Sequence, residues 1–113
     1  DFSNDHIITT RLSAGDRGLA FKKAIERDWL PAIENHRPDM IFVSAGFDAH
    51  RDDPLGELEL TEDDFRWVTR LIMKLANQYS KRRVVSTLEG GYNLEALALS
   101  VQAHVEELIE PQR

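Results

Sequence analysis

A chain of 113 residues with 20 acidic and 14 basic side chains, net charge −6, has room for a single hydrophobic core, and its 31 Leu, Ile, Val and Phe residues exceed the level at which charged chains stay unfolded. The acidic balance has the wrong sign for a protein that gains affinity by neutralising phosphates, which argues against nucleic acid as a direct ligand. With no Cys, disulfide frameworks and thiolate metal sites are excluded, a transition metal must use His or carboxylate, and a reducing, cytoplasmic setting is expected.

The amino end, Asp1 to Asp5, lacks the basic start and apolar run of a signal peptide. No apolar stretch approaches the ~18 residues of a membrane span. Residues His6 to Leu12 are β-branched and precede a turn-prone SAGDRG, which predicts an edge strand or extended segment. From Asp16 onward Leu19, Phe21, Ala24, Ile25, Trp29, Leu30 and Ile33 recur at helical spacing, with Asp16 or Ser13 as cap. Pro31 forces a kink or restart there.

Met40 to Ala45 is a continuous apolar run, expected to be a central strand buried on both faces. A loop follows, with a type I turn predicted over Asp53 to Gly56. Thr61 then supplies a cap, and Glu62, Asp63 and Asp64 suit the positive end of a helix with Phe65, Val68, Leu71, Ile72 and Leu75 as its apolar face. Val84 to Leu88 predicts a second strand. Asn93 caps a last helix, with Leu94, Leu97, Ala98, Val101, Val105, Leu108 and Ile109 as its face, ending before Pro111.

This order of helix, strand, helix, strand and helix predicts an α/β fold with a parallel sheet and covering helices. Ligands of such sheets sit beyond the carboxyl ends of the strands. Two loops lie there: Ser44 to Gly56, with Asp48, and Glu89 to Asn93, with Tyr92. A carboxylate at a strand end is suited to a divalent metal. A phenol held between Gly90–Gly91 and a capping Asn is suited to donate to a developing oxyanion. Each also has a plain reading, Asp48 as a turn residue and Tyr92 as a buried ring in a strand-to-helix connection. His50 is read as a solvated loop histidine, and His6, His36 and His104 as structural or exposed. Trp29 and Trp67 are read as core.

The segments SAGFDAHRDDPLG, LTEDDF and EGGYN, taken together, resemble the carboxyl-terminal part of the zinc-dependent histone deacetylase family, whose bacterial members include acetylpolyamine amidohydrolases and acetoin-utilisation proteins. The similarity runs from about Ser13 to Leu108, and Glu89 in EGGYN is more like the bacterial and class II branch. The resemblance implies a partial arginase/deacetylase-like three-layer fold, with residues 1–113 forming the carboxyl-terminal portion of a single catalytic domain. It also implies that Asp48 is a Zn2+ ligand and that Tyr92 bonds the substrate carbonyl and its oxyanion. Leu55 then lines the channel for the acetylated side chain, and Gly90 and Gly91 flank the catalytic tyrosine. The implied substrates are acetylated lysine side chains or acetylated polyamines and small amines.

The family's remaining zinc ligands and tandem histidines have no match in this sequence, and the flanking motifs leave His50 unassigned to zinc. The 113 residues alone are therefore expected to be inactive, to bind zinc weakly and to self-associate. Two other readings stay open. One is a non-catalytic fragment or interaction module retaining the fold. The other is an arginase-like binuclear hydrolase, which would want Asp-x-Asp where this chain has Asp48-Ala49-His50.

Overall fold

Pro38 and the apolar run after it open the strand that organises the molecule. The computed structural model describes residues 7–47, 49–52, 59–91 and 93–109. Strand β1, Ile41–Ala45, pairs in parallel with β2, Val84–Leu88, in a register that sets Ile41 against Val84 and Ala45 against Leu88. The connection between them carries helix α3, Glu62–Tyr79, and helix α4, Leu94–Ile109, follows β2 and packs on α3. This is an α/β fold with a helix-covered parallel sheet, as the element order predicts, and it accords with an arginase/deacetylase-like layered architecture.

Helix α3 begins where its sequence says it should. The Asp64 carboxylate accepts both the Thr61 backbone N–H (2.9 Å) and the Thr61 hydroxyl (3.3 Å), the return arm of a capping box. At the start of α4 the Asn93 Oδ1 accepts the Ala96 N–H at 2.8 Å, so the predicted asparagine cap is present.

The face of β1 that carries Val43 and Ala45 is covered, and the core cluster of Ala45, Phe47, Leu60 and Phe65 lies at the carboxyl ends of the strands. Phe47 and Phe65 meet edge to face at 5.1 Å. The opposite face is open. Phe42 is 73% exposed and Val85 is exposed beside it. The expectation that β1 is buried on both faces is thus corrected, because among the described residues helices cover only one side.

A second correction concerns α4. Its buried positions are Ala96, Ser100, Ala103, His104 and Glu107, spaced for one helix face, whereas Leu94, Val105 and Ile109 are exposed. Leu97 and Val101 of the predicted face do pack against the core. The small and polar stripe lies against α3, where His104 and Glu107 find partners. Arg70 grips the Glu107 carboxylate at 2.7 and 3.2 Å, and Arg66 adds a contact at 3.5 Å. These bonds, chiefly from Arg70, hold Glu107 below the usual carboxylate range.

His104, read from sequence as structural or exposed, is buried and joins three elements. The Thr69 hydroxyl donates to the Phe65 carbonyl (2.7 Å), so it must accept from His104 Nδ1–H (2.8 Å). Nε2 is then the acceptor for the Ser86 hydroxyl, also at 2.8 Å. Burial pushes the ring below its ordinary value.

The amino-terminal region departs most from expectation. Residues 7–13 form no strand; the Thr10 hydroxyl instead donates to Asp28 at 2.9 Å. Asp16 does not cap the first helix, since its carboxylate accepts the Ser13 N–H at 2.7 Å and closes a turn, leaving Arg17 at the cap position. Helix α1, Gly18–Ala24, passes through a π-helical turn, Ile25–Trp29, into helix α2, Leu30–His36. Pro31 lies in the first turn of α2, directly after the wide turn. Trp29 and Trp67 are half-buried at the margin of the core rather than within it.

Candidate functional site

The two strands end side by side, and the backbone pairing continues past them into the loops. Glu89 N–H donates to the Ala45 carbonyl at 2.9 Å and Phe47 N–H donates to the Gly90 carbonyl at 2.8 Å. The loop after β1 and the loop after β2 are therefore joined at their bases, at the carboxyl edge of the sheet where α/β folds present their ligand sites. Phe47 itself is buried in the core, so the first loop leaves from a fixed platform.

Gly91 adopts a φ of +137°, and a Cβ there would run into Leu97 Cδ1 at 2.8 Å. The φ is one that residues other than glycine rarely adopt, and a side chain would in addition have to displace the Leu97 methyl. This accounts for one glycine of the Gly-Gly pair by conformation and by close approach of α4. Gly90 contributes the carbonyl that ties the two loops together. Asp48, Leu55 and Tyr92 lie outside the described residues, as does the turn predicted over Asp53 to Gly56. The juxtaposition is accordingly established for the residues that precede the Asp and the Tyr in sequence.

His50 overturns its solvated-loop reading. It is 2% exposed, its Nε2 lies 3.0 Å from Glu62 Oε2, and its Nδ1 accepts the Asp52 N–H at 3.1 Å. With Nδ1 occupied as an acceptor, Nε2 carries the proton and donates to Glu62. That bond is the chief cause holding the Glu62 carboxyl below its usual range. Glu62, read from sequence as a charge at a helix start, is thus also the partner of a loop histidine twelve positions earlier. No local pattern marks such a pair; only the folding back of the loop brings the two together.

Among the described residues no group of three or more His, Asp or Glu side chains is placed to hold a metal ion. Among them, too, no helix is long and apolar enough to cross a membrane. What the described geometry offers is a fixed sheet edge, two joined loops and a buried histidine anchoring one of them.

Comparison with known proteins places this geometry. Residues 3–108 match the histone deacetylase domain. The chain is 44% identical over 84 residues to type-2 histone deacetylase 2 of Dictyostelium discoideum, an alignment covering 72% of this chain and 5% of that protein. It is 38% identical over 89 residues to a histone deacetylase-like amidohydrolase of Pseudomonas aeruginosa, covering 79% and 23%. Among solved structures, that of the histone deacetylase Clr3 superposes with a TM-score of 0.78 at 34% identity, over 89% of this chain and 17% of the other. The chain thus spans less than a quarter of each of these relatives.

Proposed function

Since the chain belongs to the histone deacetylase family, we propose that it forms the carboxyl-terminal portion of a zinc-dependent amidohydrolase domain that removes acetyl groups from acetyl-lysine or acetylated amines. The observation that carries this reading is the bond from Phe47 N–H to the Gly90 carbonyl, which joins the bases of the two loops bearing the family's motifs. In this reading Asp48 is a zinc ligand, Tyr92 donates to the oxyanion, Leu55 lines the substrate channel, and Gly90 and Gly91 allow the backbone to pass close to the substrate. Glu89 and the form GFDAHRDDPLG favour the bacterial and class II branch, as does the relative named a type-2 histone deacetylase.

A catalytic zinc takes three protein ligands, and the described residues hold no such cluster. In this proposal Asp48 is this chain's contribution and the remaining ligands come from another part of the domain. When bound, zinc supplies the Lewis acidity that polarises an amide carbonyl. The phenol of Tyr92 adds a hydrogen bond that strengthens as negative charge develops on the carbonyl oxygen. The arginase-like reading is disfavoured because both nitrogens of the His50 ring are already engaged, leaving no second-metal ligand at the position where Asp is wanted.

The test is made on the catalytically complete protein. Tyr92→Phe should retain zinc and lose roughly 10²- to 10³-fold in kcat, the usual cost of an oxyanion donor; turnover near that of the parent would remove Tyr92 from the reaction. Asp48→Ala should lower zinc content by elemental analysis, and an unchanged content would end the ligand assignment. Turnover of acetyl-lysine peptides against acetylated polyamines distinguishes the substrates. By itself the 113-residue chain should be inactive, bind zinc weakly and self-associate. The cytoplasm is the proposed location.

A further inference from the structure

We propose that His50 is a positioning residue, whose buried ring locks the segment following Asp48 onto the start of α3 through Glu62. The proposal rests on the metal-site reading only for its functional consequence; the clamp itself stands on geometry.

Arg51 and Asp52 are exposed, yet the His50 ring between them and the core is almost fully buried. Burying an imidazole costs free energy unless both nitrogens are satisfied. Here both are. Nε2–H donates to Glu62 Oε2 at 3.0 Å and Nδ1 accepts the Asp52 N–H at 3.1 Å. Because Nδ1 is an acceptor, the Asp52 carboxylate 4.0 Å away is not its partner.

The backbone around the ring is zipped as well. Arg51 N–H donates to the Leu60 carbonyl at 2.8 Å, Leu60 N–H to the Ala49 carbonyl at 3.1 Å, and His50 N–H to the Phe47 carbonyl at 3.2 Å. His50 and Leu60 thereby form an isolated parallel bridge, and Leu60 is a member of the core cluster. Residues 49–52 and 59–62 are thus held together as a neck, fastened on one side by the Leu60 side chain and on the other by the His50–Glu62 bond. In sequence this neck begins directly after Asp48 and brackets Leu55. A bridge of two backbone bonds is a weak element unaided. The imidazole joins it to an 18-residue helix.

Amide hydrogen exchange on the full chain tests this, read at Arg51, Asp52 and Leu60. In Glu62→Ala these amides should exchange about 10-fold faster or more, as expected for a local opening, while Ser80 and the β2 amides keep their rates. Glu62→Gln, which retains an acceptor oxygen, should restore protection. His50→Ala should behave as Glu62→Ala does, and if it fails to fold, the two Glu62 variants decide alone. In the catalytically complete protein, Glu62→Ala should weaken zinc affinity about 10-fold, a typical loss for an outer partner of a metal site, and Glu62→Gln should recover it. Parent-like exchange at the neck in Glu62→Ala, or equal acceleration throughout α3 and β2, would overturn the clamp. A loosened neck with zinc affinity unchanged would overturn the positioning role. Should Asp48→Ala leave zinc in place while the neck still loosens, the metal assignment falls and the clamp stands.

Discussion

Ser100 sits on the buried face of α4 with its hydroxyl fully enclosed and without a hydrogen-bond partner. A buried polar group left unsatisfied costs about 1–3 kcal/mol, and alanine is also the better helix former. Ser100→Ala should therefore raise stability by about 1 kcal/mol, seen as a higher thermal midpoint; a lower midpoint would mean that the hydroxyl has a partner in solution. His104 presents the opposite case, a buried polar group fully satisfied. Replacing it by Ala leaves the Ser86 and Thr69 hydroxyls short of a partner beside a cavity, and should cost about 2–4 kcal/mol in chemical denaturation. A cost below ~1 kcal/mol would show that the network contributes little.

The same histidine ties α3, β2 and α4 together, which gives the packing of these elements a pH dependence. Its ring titrates below the ordinary value in the folded chain, so the unfolded chain binds the proton more readily. The stabilisation is complete above the unfolded value of about 6.5 and is lost as pH falls from there through the folded value. The ion pair of Glu107 with Arg70 adds a second step. Its carboxyl is held down in the folded state, so that contribution fades only at lower pH, beginning near the unfolded value of about 4.3. Denaturation midpoints compared at pH 7.5 and 5.5 should fall for the parent and change less for His104→Asn. An equal fall in both would place the pH response elsewhere.

At the scale of the whole molecule the open sheet face matters most. Phe42 and Val85 are exposed on adjacent strands, and an uncovered apolar face invites association. Sedimentation of the isolated chain should reveal species larger than the monomer, and Phe42→Ser with Val85→Ser should shift the distribution toward the monomer. A monomer in both cases would contradict the expectation.

Much of this architecture is legible in the linear sequence because its signals are local. The run Ile41 to Ala45, the Thr61–Asp64 cap, the Asn93 cap and the helical spacing of α3 depend on residues within a few positions of one another. The motifs around Asp48 and Tyr92, read by resemblance, likewise identify the family without a fold. What the sequence conceals is the choice among partners. Hydrophobic spacing on α4 points to Leu94 and Val105 as buried, yet Thr69 and Arg70 on α3 select His104 and Glu107 instead.

The order of β1, α3, β2 and α4, the Thr61 and Asn93 caps and the α/β class were thus determined by the sequence itself, through backbone preferences and periodicity that act within a turn or two. Which face of β1 is covered, which stripe of α4 is buried, that the two strand ends are joined through Phe47 and Gly90, and that His50 is enclosed against Glu62 were decided only by the tertiary structure. Those outcomes depend on contacts between residues 12 to 43 positions apart, and the energy of such a contact exists only once the chain has folded back upon itself.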